Sequence, residues 1–139
     1  MAEKTIGEIE AALATSIIRF EKEYMGRGPV QVRVFIVEDM IIVRLYGVLT
    51  PAESRLAQSS DGHVLIKQVR RRLLQISRPM LEQIVQEVVE SPVVSLHSDV
   101  SVKTGERIII FVFGKNMEEQ FGRLRKKGTD RRLESASAK

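Results

Sequence analysis

The chain has no cysteine and no tryptophan. Disulfides, thiol nucleophiles and cysteine-based metal sites are therefore excluded. Aromatic residues make up only 5% of its 139 residues, too few for the stacking surfaces that read single-stranded RNA. The longest unbroken apolar run, Ile108 to Phe113, has six residues, whereas a membrane helix needs about 20. Met1 to Glu10 is acidic and polar and lacks the basic-then-apolar pattern of a signal peptide. The expectation is a cytoplasmic protein with no membrane span. An excess charge of one sign is also missing from most of the chain. Residues 1–113 hold 14 Lys/Arg and 14 Asp/Glu, while residues 114–139 hold 8 and 4. The net charge of +4 thus lies wholly in the tail, which argues against a basic globular face for nucleic acid.

What is present is periodicity. Ile6, Ile9, Leu13, Ile17, Phe20 and Tyr24 recur every three or four residues, the stripe of an amphipathic helix. Thr5 with Glu8 forms a capping box, and Gly26-Arg27-Gly28-Pro29 ends the helix. That glycine-rich turn follows a helix and precedes a strand, the reverse of a phosphate loop. Val30 to Val37 and Met40 to Leu49 then predict a hairpin about Glu38-Asp39. A two-residue turn pairs Val37 with Met40 and sets Arg33 against Arg44. Thr50-Pro51-Ala52-Glu53 starts a second helix with a capping box and a proline at its first position. Ser59 to Gly62 interrupts it. Leu65, Val69, Leu73, Ile76, Met80 and Ile84 then keep one apolar stripe through Pro79, which fits a kinked helix or two abutting helices, the unbroken phase favouring the kink. Ser91-Pro92 stops that helix, and Val93 to Val102 and Arg107 to Phe113 predict a second hairpin about Thr104-Gly105.

The predicted fold is α+β, from two α-β-β units. A four-stranded antiparallel sheet carries helices on one face. Residues 1–113 form the domain and residues 114–139 a basic, disordered tail. Exposed strand edges favour a homodimer.

Three clusters have chemistry to offer. Arg33 opposite Arg44 places like charges directly across a ladder, which is destabilising unless an anion lies between them. With Gln31 and Tyr46 they form an anion-binding candidate; the plainer reading is a solvated sheet face. Ser95, His97, Asp99 and Ser101 alternate on one strand, and His97 with Asp99 could make an acid–base pair. No nucleophile or third partner accompanies them, and metal binding would need more ligands. His63 follows Asp61-Gly62 without such company. Lys67, Arg71 and Arg78 share one helix face, with Arg70 and Arg72 beside the apolar stripe. Downstream Glu82, Glu87 and Glu90 balance them, as on a solvated helix.

Three motifs resemble the MpsC-like domain family. They are Phe20-Glu-Lys-Glu-Tyr-Met-Gly-Arg-Gly-Pro29, Val43-Arg-Leu-Tyr-Gly-Val-Leu-Thr-Pro-Ala-Glu53, and Lys103-Thr-Gly-Glu106 before an apolar strand. The resemblance covers about residues 5–113, and Arg27, Arg44, Glu53 and Glu106 fall on its motifs. The family is named for a sodium-translocating, membrane-potential-generating system. The resemblance implies a bacterial accessory protein linked to ion or inorganic-carbon uptake, with a membrane-transport-system protein as partner. It supplies no catalytic residues. The expected function is a non-enzymatic accessory or regulatory module without cofactor or metal, binding a small anion or a partner protein. The alternatives are a nucleic-acid binder using the basic helix and tail, and a hydrolase or lyase using His97 and Asp99.

Overall fold

The computed structural model describes residues 4–122. Helix α1 (Ile6–Tyr24) starts at Thr5, whose hydroxyl accepts from the Glu8 amide while Glu8 caps Thr5 in return. Strands β1 (Gln31–Val37) and β2 (Met40–Tyr46) follow, then α2 (Pro51–Leu56) and the 30-residue α3 (Ser60–Val89). Strands β3 (Val93–Ser101) and β4 (Glu106–Phe113) and a short α4 (Met117–Gly122) complete the described chain.

The four strands form one antiparallel sheet in the order β1-β2-β4-β3. The two hairpins therefore join through β2 and β4. The first hairpin has the expected register, with Val37 on Met40 and Arg33 on Arg44. Its turn has no glycine, and Glu38 takes the left-handed conformation instead at φ 54°.

One sheet face packs on the helices. Val34, Ile36, Ile41, Val43, Leu45, Ile109, Phe111 and Phe113 meet Ile9, Leu13, Ile17 and Phe20 of α1 in a single core. Burying each large aliphatic side chain stabilises by about 1.5–3 kcal/mol. The other sheet face has no layer over it among the described residues.

The interruption expected at Ser59 to Gly62 is present: helices α2 and α3 are separate, each with its own cap, because Ser59 accepts from the Gly62 amide and restarts the helix. Helix α3 then runs unbroken through Pro79, but it buries a different face from the expected stripe. Ile66, Arg70, Ser77, Leu81, Val85 and Val89 face inward. Leu65, Val69, Met80 and Ile76, the last 70% exposed, face solvent. The inward stripe carries Arg70 and Ser77, so apolarity alone picks the neighbouring phase. The folded part also extends past residue 113. Met117 and Phe121 of α4 are buried, and the Met117 amide donates to the Glu38 carbonyl. Residues 123–139, the rest of the expected tail, lie outside the described residues.

Candidate functional site

Three elements, α1, α3 and β4, each contribute one charged side chain to the interior. Glu21 continues the buried stripe of α1 four residues after Ile17, and it is 0% exposed. Arg107 lies on β4 in phase with Ile109 and Phe111, so strand alternation drives it inward. Arg70 follows Ile66 by one turn on the buried face of α3. Arg70 and Arg107 are each only 3% exposed.

Arg107 donates from Nη1 to Glu21 Oε2 at 3.0 Å and from Nε to Ser98 Oγ at 3.2 Å. Arg70 grips Glu53 bidentately, from Nε at 3.0 Å and Nη2 at 2.6 Å, and Nη2 also reaches the Val48 carbonyl at 2.8 Å. Glu53 simultaneously closes the Thr50 capping box. The start of α2 is thereby tied to α3. Three polar atoms of this cluster are buried without a partner among the described residues: Glu21 Oε1, Arg70 Nη1 and Arg107 Nη2. An unmet buried polar group costs about 1–3 kcal/mol, more if charged.

Beside the cluster, a cleft of about 40 Å³ opens between α3 and the β3–β4 edge. Its walls are Arg70, Arg107, Lys67, Arg71, Ser98 and Asp99, with Leu74 and Val100. A water needs about 10–15 Å³ of such space, so the cleft has room for a few waters or one small polyatomic ion. Lys67 Nζ meets Asp99 Oδ1 at 3.2 Å.

The electrostatics follow from burial. Burial pushes the Glu21 carboxyl above its ordinary range, and the attraction of Arg107 and Arg70 recovers only part of the shift. Burial also lowers the Arg107 guanidinium, with Glu21 opposing and Arg70 adding to the fall. Burial raises Glu53 too, but the Arg70 hydrogen bonds and the Thr50 cap outweigh it and hold Glu53 below its ordinary value. Asp99 is likewise held low: Lys67, the Val100 amide and Arg71 overcome burial.

The residues singled out from sequence fall elsewhere or at the margins. Gln31, Arg33, Arg44 and Tyr46 share the open sheet face. Arg33 lies over the Phe35 ring, and Arg44 lies over the Tyr46 ring and pairs with Glu106. That contact holds the Arg44 guanidinium above its ordinary value, chiefly through the hydrogen bond to Glu106. His97 and Asp99 are exposed on β3, and no hydrogen bond joins them among the described residues; Asp99 turns to Lys67 instead. Lys67 and Arg71 line the cleft, while Arg78 pairs with Glu82 one turn on. Sequence reasoning missed Glu21 and Arg107. The signal was a charge in phase with buried neighbours on each element.

The motif residues are joined by tertiary links. Arg27 donates to the Leu49 carbonyl at 3.1 Å, Glu53 holds Arg70, and Arg44 holds Glu106. Among the described residues no group of His, Cys, Asp and Glu could hold a metal, and no helix is long and apolar enough to cross a membrane.

The chain is 39% identical over 121 residues to the uncharacterized protein YbcI of Bacillus subtilis, covering 87% of this chain and 98% of that protein. It is 28% identical over 105 residues to the uncharacterized protein YrhF of the same organism, covering 75% and 86%. No solved structure matches. The sequence model described as "Na+-translocating membrane potential-generating system (MpsC)" matches residues 5–115, and the chain belongs to that family.

Proposed function

We propose that this chain is a non-enzymatic accessory protein that holds a small oxoanion in the cleft between Arg70 and Arg107. The family name links the role to a sodium-translocating membrane system, where an anion-responsive module would act by changing its stability or contacts. One observation carries the reading: two arginines that line the same cleft are almost wholly buried, and each keeps one guanidinium nitrogen without a partner. An oxoanion offers acceptors to both, and charge-assisted hydrogen bonds of this kind are the strong ones. Lys67 and Arg71 add positive charge to the cleft walls.

The open-face patch is the second position for an anion. Arg33 has an aromatic ring beneath it, but Arg44 already has a carboxylate, which favours the buried pair. The nucleic-acid reading is weaker because Lys67, Arg70 and Arg78 are engaged by Asp99, Glu53 and Glu82.

A thermal-shift screen of phosphate, sulfate, bicarbonate, formate and acetate at constant ionic strength tests the proposal. One of them should stabilise the wild type saturably, by about 2.7 kcal/mol at a hundredfold excess over its Kd. Arg71→Gln should weaken that response and Arg107→Lys should abolish it, while Arg44→Gln leaves it intact. Equal responses of wild type and Arg107→Lys to every anion would defeat the reading.

A further inference from the structure

The outer face of the sheet is apolar where a solvated face should be polar. Antiparallel sheets open to water on one side alternate apolar with polar residues, while strands covered on both sides read as continuous apolar runs. Strand β4 is of the second kind, with Ile108 to Phe113 unbroken. Its outward residues Ile108, Ile110 and Val112 lie beside Ile42 and Met40 of β2 and join Phe35 and Val37 of β1. Phe35 is 36% exposed, Val37 37% and Ile108 36%. Polar residues lie on the edge strands, with Gln31 and Arg33 on β1 and Ser95, His97 and Asp99 on β3, and at one end of the central strands, where Arg44 of β2 pairs with Glu106 of β4. An apolar centre inside a polar rim is the anatomy of a protein interface.

Residues 123–139 offer only Leu124 and Leu133 as large apolar side chains. A second copy supplies a cover, and the register shows how. Arg33, Arg44, Ile108 and Asp99 form one row across the sheet; Phe35, Ile42, Ile110 and His97 form the next outward-facing row; Val37, Met40, Val112 and Ser95 form the third. A two-fold axis parallel to the strands, midway between β2 and β4, exchanges β1 with β3 and β2 with β4. Each row then meets itself reversed. Arg33 comes over Asp99 of the second copy, Ile42 over Ile110 and Met40 over Val112. Arg33 and Asp99 are unlike charges at opposite edges, Asp99 also holding Lys67 of its own chain.

We propose that two copies of this chain stack outer face on outer face about this axis. Strands about 4.8 Å apart, with about 3.4 Å per residue, give four strands of seven residues a flat footprint of roughly 450 Å². Side-chain relief brings the area buried by two copies near the lower bound of about 1,200 Å² for stable interfaces.

Analytical ultracentrifugation of the full chain tests this. Wild type should sediment as a dimer at micromolar concentration. Ile110→Asp should sediment as a folded monomer, with its fold checked by circular dichroism and with Ile108→Gln as the milder replacement if it fails to fold. Ile76→Asp, on the exposed side of α3, should stay dimeric. Asp99→Arg should weaken the dimer about two- to fivefold, as a rim ion pair implies. Arg33→Asp combined with Asp99→Arg should restore it. A monomeric wild type, including one that floats with anionic vesicles, would overturn the proposal. So would a dimer that survives both sheet-face variants, or one lost in Ile76→Asp. Failure of the double reversal to restore affinity would overturn the axis.

Discussion

Removing one partner of the Glu21–Arg107 pair should cost far more than removing both. Both side chains are buried, so either one left alone is a charge without compensation. Breaking a buried pair from one side costs about 3–5 kcal/mol. Glu21→Met and Arg107→Met should each lose about that much, a large share of the roughly 5–15 kcal/mol that holds a domain together. The double variant replaces the pair by apolar side chains in the Ile17, Phe20 and Ile109 core, where such exchanges are often neutral. With two single losses of about 3–5 kcal/mol and a near-neutral double, the cycle should therefore show a coupling of about 6–10 kcal/mol, above the roughly 0.5–3 kcal/mol usual for residues in contact. Urea unfolding at pH 7, fitted with a common m-value, measures it. Additive losses within about 0.5 kcal/mol would refute the claim that Glu21 and Arg107 act as one buried unit.

Gly62→Ala should destabilise by more than about 2 kcal/mol, although alanine is about 1 kcal/mol better within a helix, because its Cβ would sit 1.8 Å from the Leu56 carbonyl oxygen; thermal unfolding reads the sign. Thr50→Ala should cost about 1 kcal/mol through the lost cap of α2, measured the same way. For Glu53, whose folded pKa is depressed, the stabilising contribution is complete above the unfolded value of 4.5 and is lost as the pH falls below it. The stability gap between wild type and Glu53→Gln should close in acid accordingly. Glu21 has the opposite sign. Its folded pKa is raised, so wild type relative to Glu21→Gln should lose stability as the pH rises past 4.5.

Much of the fold follows from local signals. The stripe of α1, the capping boxes at Thr5 and Thr50 and the Arg33–Arg44 register all rest on interactions within a few residues or across one turn. Strand order depends on which edges meet through the core, and no local pattern encodes the β2–β4 contact. The phase of α3 was misleading for a physical reason. Its inner face carries Arg70 and Ser77, whose polarity is met by Glu53, the Val48 carbonyl and the Leu73 carbonyl, and these partners are invisible in the sequence. Its outer face kept the apolar residues. The same effect hid the site: Glu21 and Arg107 look like surface charges until α1 and β4 are brought together. The Arg33–Arg44 row was legible because a hairpin fixes it, but Glu106, which engages Arg44, arrives from β4.

The cleft between Arg70 and Arg107 is tested most directly by nuclear magnetic resonance of the arginine Nε–H groups during an anion titration. With the oxoanion selected by the thermal screen, the Arg70 and Arg107 signals should shift together along one saturable curve, while those of Arg33 and Arg44 stay fixed. Shifts confined to Arg33 and Arg44, or no saturable shift at all, would contradict the account.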